Sequence, residues 1–419
     1  MGDTMTKTIT TSSYTLNMMK TDKFKSTRIH ISFGSSFDED TITTRALLPY
    51  MMKAVTKQYP HRSDMVLYLE SLYSAYFTGS VERIGESHLV FFDMSMIDDH
   101  YTLDQENLLE KSFHLINEVL FNPLFDSSVF EEEKRLLEEY FQSVYSNKFA
   151  YAVKLLNDAM FETETFKVTS LGKEEDVQSI SLDDVINQYN AMIQNDNITI
   201  TVVGDIEFAR IEELVRQYLP FDSRDNQLAY MDYETKEVTE VVHKVVTQNI
   251  TQAKFSFGYR LPVYYDTELY NAALVFNSLF GATAEAMLHT RIREELGLCY
   301  YIGSSYSSHK GVLFVHAGID PSKKDTVLQE TSDILNKIIT MDYDDSLLDI
   351  AKKSNIAGII ESKDSNSSLA IRIERLSFYG KEVNFEQKIQ EINIVTKEQV
   401  SKVASLLTLD TTMLLRGEE

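Results

Sequence analysis

The sequence predicts an α+β protein of two homologous domains, each a mainly antiparallel sheet covered by helices. Three observations predict it. The chain has 419 residues, and at roughly 100–200 residues per domain it holds two or three domains. One pattern occurs twice: a strand, a bend of small residues, a second strand, a turn and a long amphipathic helix, over 68–121 and again over 293–340. Finally, helices follow pairs of strands instead of alternating with them one for one, which favours helices over an antiparallel sheet.

The elements follow in order from periodicity. RIHISFG (28–34), SHLVFFDM (87–94) and KFSFGYR (254–260) alternate apolar and polar residues, as half-buried strands do. FEEEKRLLEEYFQSVY (130–145), YAVKLLNDAMF (151–161), DVINQYNAMI (184–193) and ELYNAALVFNSLF (268–280) place apolar residues three and four apart, the helical spacing. The two copies align through VFFDM (90–94) with LFVHA (313–317), and through Asn117 with Asn336. Each half closes on a strand that ends in glycine, ITITVVG with Gly204 and TTMLLRG with Gly417. The polar stretch after Phe221 predicts a linker at 223–240, dividing an N-terminal domain (1–222) from a C-terminal one (241–419). SKDSNSS (362–368) predicts a loop within the second half.

A net charge of −24 with no basic cluster excludes nucleic acid as a partner, because phosphate binding needs a concentrated basic face. No apolar run approaches the ~18 residues that cross a bilayer, and the first residues lack the apolar core of a secretory signal. One cysteine, Cys299, forms no disulfide within the chain and suits a reducing compartment. The expectation is a cytoplasmic protein with no membrane partner. Cys299 lies in an apolar strand and reads as an inert thiol. His309 and His316 read as ordinary sheet or surface residues, and none of the nine histidines is paired at the spacing a helical zinc site needs.

The most specific signal is RIREELGLCYYIGSS at 291–305, with Arg293 and Tyr300 seven residues apart. Together with the duplicated layout, the Tyr59-Pro60 and YLESL features of 59–72, and VVGD closing the first half, this resembles the insulinase/pitrilysin zinc metallopeptidases, the inverzincins. The resemblance covers nearly the whole chain. It implies that the Arg and Tyr of the second domain bind a substrate carbonyl or the oxyanion that forms when water attacks an amide. A guanidinium and a phenol are fixed donors suited to that developing charge.

The resemblance also locates what is missing. The family's zinc helix carries H-x-x-E-H, with two histidines on one face and the general base between them. Those positions fall on Ala46, Leu47, Leu48, Pro49 and Tyr50. The histidines become Ala46 and Tyr50, and the base becomes Pro49, which should kink this helix or sit near its start. The distant carboxylate ligand, seven residues after Glu133, becomes Tyr140. Adjacent Glu139 is about 100° round the helix. By this reading the chain binds no metal. Only Gly281 survives of the glycine-rich stretch that the family places before a second-domain helix.

Several members of the family work as pairs in which one subunit carries H-x-x-E-H and the other supplies the Arg/Tyr pair. The sequence resembles the second kind, the metal-motif-lacking partner in Gram-positive peptidase pairs, one of them linked to modification of translation elongation factor P. The expectation is therefore a non-catalytic subunit that needs a homologous H-x-x-E-H partner. Zinc would reside in that partner, and the substrate would be a peptide. The alternatives are a peptide-binding or scaffold homodimer of the same fold, and an independently active peptidase.

Overall fold

The computed structural model describes residues 5–103, 106–224 and 236–418. The chain forms two compact units, and each has its own apolar core.

In chain order the elements are β1 (Met5–Thr10), β2 (Thr15–Lys20), β3 (Ser26–Ser36), α1 (Ile42–Ala54), α2 (Arg62–Ser71), β4 (Tyr76–Ile84), β5 (Ser87–Ile97), α3 (Leu108–Phe121), α4 (Ser127–Ser146), α5 (Lys148–Met160), α6 (Leu182–Asn195), β6 (Asn197–Gly204) and α7 (Phe208–Tyr218). They continue with β7 (Val242–Thr247), β8 (Ala253–Arg260), α8 (Tyr270–Asn277), β9 (Cys299–Ser307), β10 (Val312–Ile319), α9 (Lys324–Ile339), α10 (Asp345–Ser362), α11 (Asn366–Ser377), α12 (Phe385–Asn393), α13 (Lys397–Ser405) and β11 (Thr408–Arg416).

The first sheet runs β1-β2-β6-β3-β5-β4 and the second β7-β11-β8-β10-β9. All neighbours are antiparallel except one pair in each sheet, β2 with β6 and β7 with β11. Omit β1 and the two orders coincide: β3 corresponds to β8, β5 to β10, and the edge strand β4 to the edge strand β9. The repeat seen in the sequence is this correspondence. The α+β expectation holds, with each sheet mixed by a single parallel pair.

Two segments depart from the expected division at 222 and 241. The first unit is Met1–Phe141, Val168–Asp232 and Ser362–Val383; the second is Gln142–Lys167, Tyr233–Glu361 and Asn384–Glu419. Helix α5 covers β8 and β11, and α11 covers β3 and β6. A strand pattern marks which face of a sheet is buried but not which helix in the chain covers it, so contiguous halves were the simplest expectation. The predicted loop at 362–368 is also shorter than expected. Helix α10 runs to Ser362 and α11 begins at Asn366, with Ser365 accepting a hydrogen bond from the Ser368 amide as its cap. Most of the predicted linker, 225–235, lies outside the described residues.

A carboxylate ties each crossing segment to its sheet, fully buried in the first unit and partly buried in the second. Glu374 of α11 is fully buried; it accepts a hydrogen bond from Ser32 on β3 and lies 3.2 Å from His30 Nε2. Asp93 on β5 takes the other ring nitrogen at 3.0 Å and Arg28 Nε at 2.8 Å. In the second unit, Glu164 accepts two hydrogen bonds from Arg260 on β8, at 2.7 and 2.9 Å, and Asp410 takes Arg260 Nε at 2.8 Å. Such groups persist in a core only when paired.

Candidate functional site

In the first unit, α1 turns Ala46, Leu47, Leu48 and Pro49 inward, and all four are buried. Pro49 sits well inside the helix, not near its start. Its ring rests against β4 at Gly79, where an added Cβ would come within 3.0 Å of Pro49 Cβ and 2.9 Å of Phe92. That close approach requires glycine at position 79. Tyr50 is half-buried, and its hydroxyl lies 3.3 Å from Ser80 Oγ on β4. Tyr140 on α4 is 49% exposed. Glu139 turns to solvent and pairs with Arg135, as the helical rotation predicts. Glu133 points inward but is taken by Arg62 at 2.6 Å.

A methyl, a pyrrolidine and two phenols thus stand at the four positions that the sequence comparison expects to correspond to two imidazoles, a base and a carboxylate. This set does not fit a zinc ion. Among the described residues, no three His, Cys, Asp or Glu side chains are grouped as a metal needs.

Sequence reasoning missed Lys53, one turn beyond Tyr50. Its ammonium lies 5.0 Å from the Tyr50 ring centroid and 3.5 Å from the Gly79 carbonyl. Burial lowers its pKa, with Glu133 opposing. The i, i+3 spacing of an aromatic and a lysine on one helix face was the available signal.

In the second unit, α8 passes into a π-helical turn (Ser278–Ala282), and a second one (His289–Glu295) leads to Gly297 and β9. Turns of this kind widen a helix and recur at functional sites. Gly297 has φ of +60°, the left-handed conformation that ends such a turn cheaply only with glycine. Arg293 projects from the second turn and is exposed. Tyr300, near the start of edge strand β9, is 70% exposed. A strand tyrosine used for packing would be buried, so Tyr300 is not a core residue.

Arg293 Nη1 donates to His289 Nε2 at 2.5 Å, one helical turn earlier. His289 Nδ1 lies 3.5 Å from Glu294. Sequence reasoning also missed His289, although its i, i+4 spacing to Arg293 was visible. Burial pushes the half-buried Cys299 thiol up to about 11, with Arg293 opposing, as expected for an unreactive cysteine. His316 is held to about 4 by burial and accepts or donates within the sheet at Ser256, 2.8 Å away.

Residues 179–355 match the family model described as the peptidase M16 inactive domain. The chain is 28% identical over 417 residues to the probable inactive metalloprotease YmfF of Bacillus subtilis (strain 168), covering 97% of this chain and 96% of that protein. It is 22% identical over 406 residues to the mitochondrial-processing peptidase subunit beta of Caenorhabditis elegans, covering 91% and 82% of the two. A solved structure of a conserved protein from Enterococcus faecalis V583 superposes with a TM-score of 0.92 at 26% identity, over 99% of both chains. The duplicated sheets, the Arg293/Tyr300 turn and these likenesses agree: the chain is similar to the peptidase M16 proteins over nearly its whole length and matches their inactive-domain model over residues 179–355.

Proposed function

We propose that this chain is the non-catalytic subunit of a two-subunit zinc peptidase that processes peptides. The carrying observation is a contrast. The positions that would hold zinc and the base are Ala46, Pro49, Tyr50 and Tyr140, whereas Arg293 and Tyr300 stand exposed beside an edge strand. A chain with oxyanion donors but no metal donors is half of a site.

The zinc and general base would belong to a homologous H-x-x-E-H partner. This chain's part would be to bind and orient. The Arg293 guanidinium and Tyr300 hydroxyl would donate to the substrate carbonyl, and to the oxyanion as it forms. The name of the Bacillus relative, a probable inactive metalloprotease, supports the first half of this reading. The word subunit in the name of the Caenorhabditis relative supports the second. No helix among the described residues is long and apolar enough to cross a membrane, and the reading places the pair in the cytoplasm.

The test is to capture the chain from its native cell. Recovery of an H-x-x-E-H relative in equal amount is expected, while self-association alone would favour the homodimeric scaffold. Stoichiometric zinc and chelator-sensitive cleavage by the chain alone would overturn the proposal.

A further inference from the structure

The position in the first unit that lacks metal donors still gathers polar groups. Tyr50 and Lys53 of α1 face Gly79 and Ser80 of β4. The Tyr50 and Ser80 hydroxyls lie 3.3 Å apart, and the Lys53 ammonium sits 3.5 Å from the Gly79 carbonyl and 5.0 Å from the Tyr50 ring centroid.

Lys53 is short of partners. Its side chain is half-buried, yet no carboxylate lies within the 4.0 Å of an ion pair among the described residues, in a protein with 64 acidic side chains to 40 basic ones. Glu133 contributes to its electrostatics but is bonded to Arg62. A desolvated ammonium with one long bond to a carbonyl and the face of a phenol ring is under-satisfied. Its pKa is lowered by burial in consequence.

The surroundings suggest what would complete it. Strand β4 ends the sheet and, among the described residues, pairs only with β5. From Tyr76 to Ser80, Lys53 is the one described group outside that ladder that bonds to the β4 backbone. A free edge of this kind accepts an extended peptide as an added strand. A cation over the Tyr50 ring, whose hydroxyl meets that of Ser80, matches a carboxylate, which can accept a charge-assisted bond from the ammonium and ordinary ones from the hydroxyls.

We propose that Lys53, with the hydroxyls of Tyr50 and Ser80, forms a carboxylate subsite beside the free edge of β4, which takes the carboxylate of an extended peptide. The subsite goes beyond the subunit role and does not depend on the partner. In place of a metal that would cleave the peptide, this unit keeps a fixed cation that holds it.

The test uses the full chain alone and three fluorescein-labelled hexapeptides of alternating Val and Thr: one with a free C-terminal carboxylate, one with a C-terminal amide, and an amide whose last residue is Glu. Fluorescence polarisation should show the free acid bound about tenfold or more tighter than the plain amide, as one charge-assisted bond provides. Tight binding of the Glu amide as well would make a side-chain carboxylate an acceptable source; weak binding would restrict the subsite to chain ends. In Lys53→Met the preference for carboxylate should vanish, and in Lys53→Arg it should persist in part. Ser80→Ala, which removes one hydroxyl and leaves the cation, should weaken the preference and serves if Lys53→Met fails to fold. Equal binding of acid and amide, no binding of any peptide at millimolar concentration, or an undiminished preference in Lys53→Met would overturn the proposal. None of these results bears on Arg293 and Tyr300, whose role is read in the mixed complex.

Discussion

Strands β3 and β8 hold corresponding places in the two sheets, and each carries a buried cation that grips a carboxylate from a crossing segment. On β3 the cation is His30, between Glu374 and Asp93; on β8 it is Arg260, between Glu164 and Asp410. The architecture is shared but the chemistry differs. A guanidinium stays charged at any pH a protein survives, whereas an imidazole is charged only while its neighbours hold the proton on it. Burial opposes the charge on His30, but Glu374 and Asp93 outweigh that and raise its pKa from 6.5 to about 10. The lesson is that one packing solution can be built with or without sensitivity to pH.

The largest expected effect comes from breaking either lock. Glu374→Leu leaves His30 and Arg28 facing Asp93 alone, and Arg260→Ala leaves the buried Asp410 without its cation. Glu374→Leu should cost about 3–5 kcal/mol, the usual result of removing one partner of a buried pair, and Arg260→Ala a similar amount through Asp410, since Glu164 keeps Lys236 at 3.8 Å. Urea unfolding would measure it, and a loss under 1 kcal/mol in either variant would mean that the pair is not what fastens the segment.

Next in size, on the proposed subunit role, is the contrast between the exposed Arg293 and Tyr140 of α4. Arg293→Ala, mixed with the H-x-x-E-H partner, should reduce turnover about a hundredfold or more while the complex still forms. Tyr140→Phe should leave turnover unchanged. If Arg293→Ala turned over normally, the exposed pair would be a remnant.

A smaller effect concerns the contact between α1 and β4. Gly79→Ala should destabilise the first unit by about 1–3 kcal/mol, because the new methyl meets Phe92 and Pro49. In a Phe92→Leu background, which withdraws the ring edge, the cost should fall. Additive losses in the double variant would show that the Pro49 Cβ sets the limit.

The last prediction sharpens the opening comparison through pH. The pKa of His30 is higher in the folded chain, so its contribution is complete below about 6.5 and fades as pH rises toward about 10. His88 runs the other way: burial, aided by Arg45, lowers it to about 3, so its contribution is complete above about 6.5 and fades as pH falls toward about 3. Stability measured across this range should decline on both sides. His30→Gln should flatten only the alkaline side, and an unchanged alkaline slope in that variant would refute the protonated lock.

Much of this was legible in the sequence because strand alternation and helical spacing are local. The strand at 87–94, the helix at 130–145 and the glycine-closed strands lie where periodicity put them. The Arg293/Tyr300 spacing was also readable, since it concerns which residue stands where, and so were the residue types at Ala46, Pro49, Tyr50 and Tyr140. What periodicity could not carry was pairing at a distance. Glu374 lies 342 residues from Ser32 and Glu164 lies 96 from Arg260, and nothing local says that either acid turns to so distant a sheet partner and not to solvent. Lys53 was passed over for a related reason: a lysine at a helix end reads as solvated until the strand beside it is known.

The exchange of segments also constrains how the polypeptide is made. The sheet built from the first two hundred residues waits for α11, whose Glu374 partners His30, and α11 emerges only after most of the second sheet has been synthesised. At ribosomal speeds of 5–20 residues per second the delay is on the order of ten seconds. Over that interval the face of β3 and β6 that carries His30, Ser32, Thr199 and Thr201 has no native cover, and Asp93 is the only carboxylate of the pair in place to balance the His30 charge.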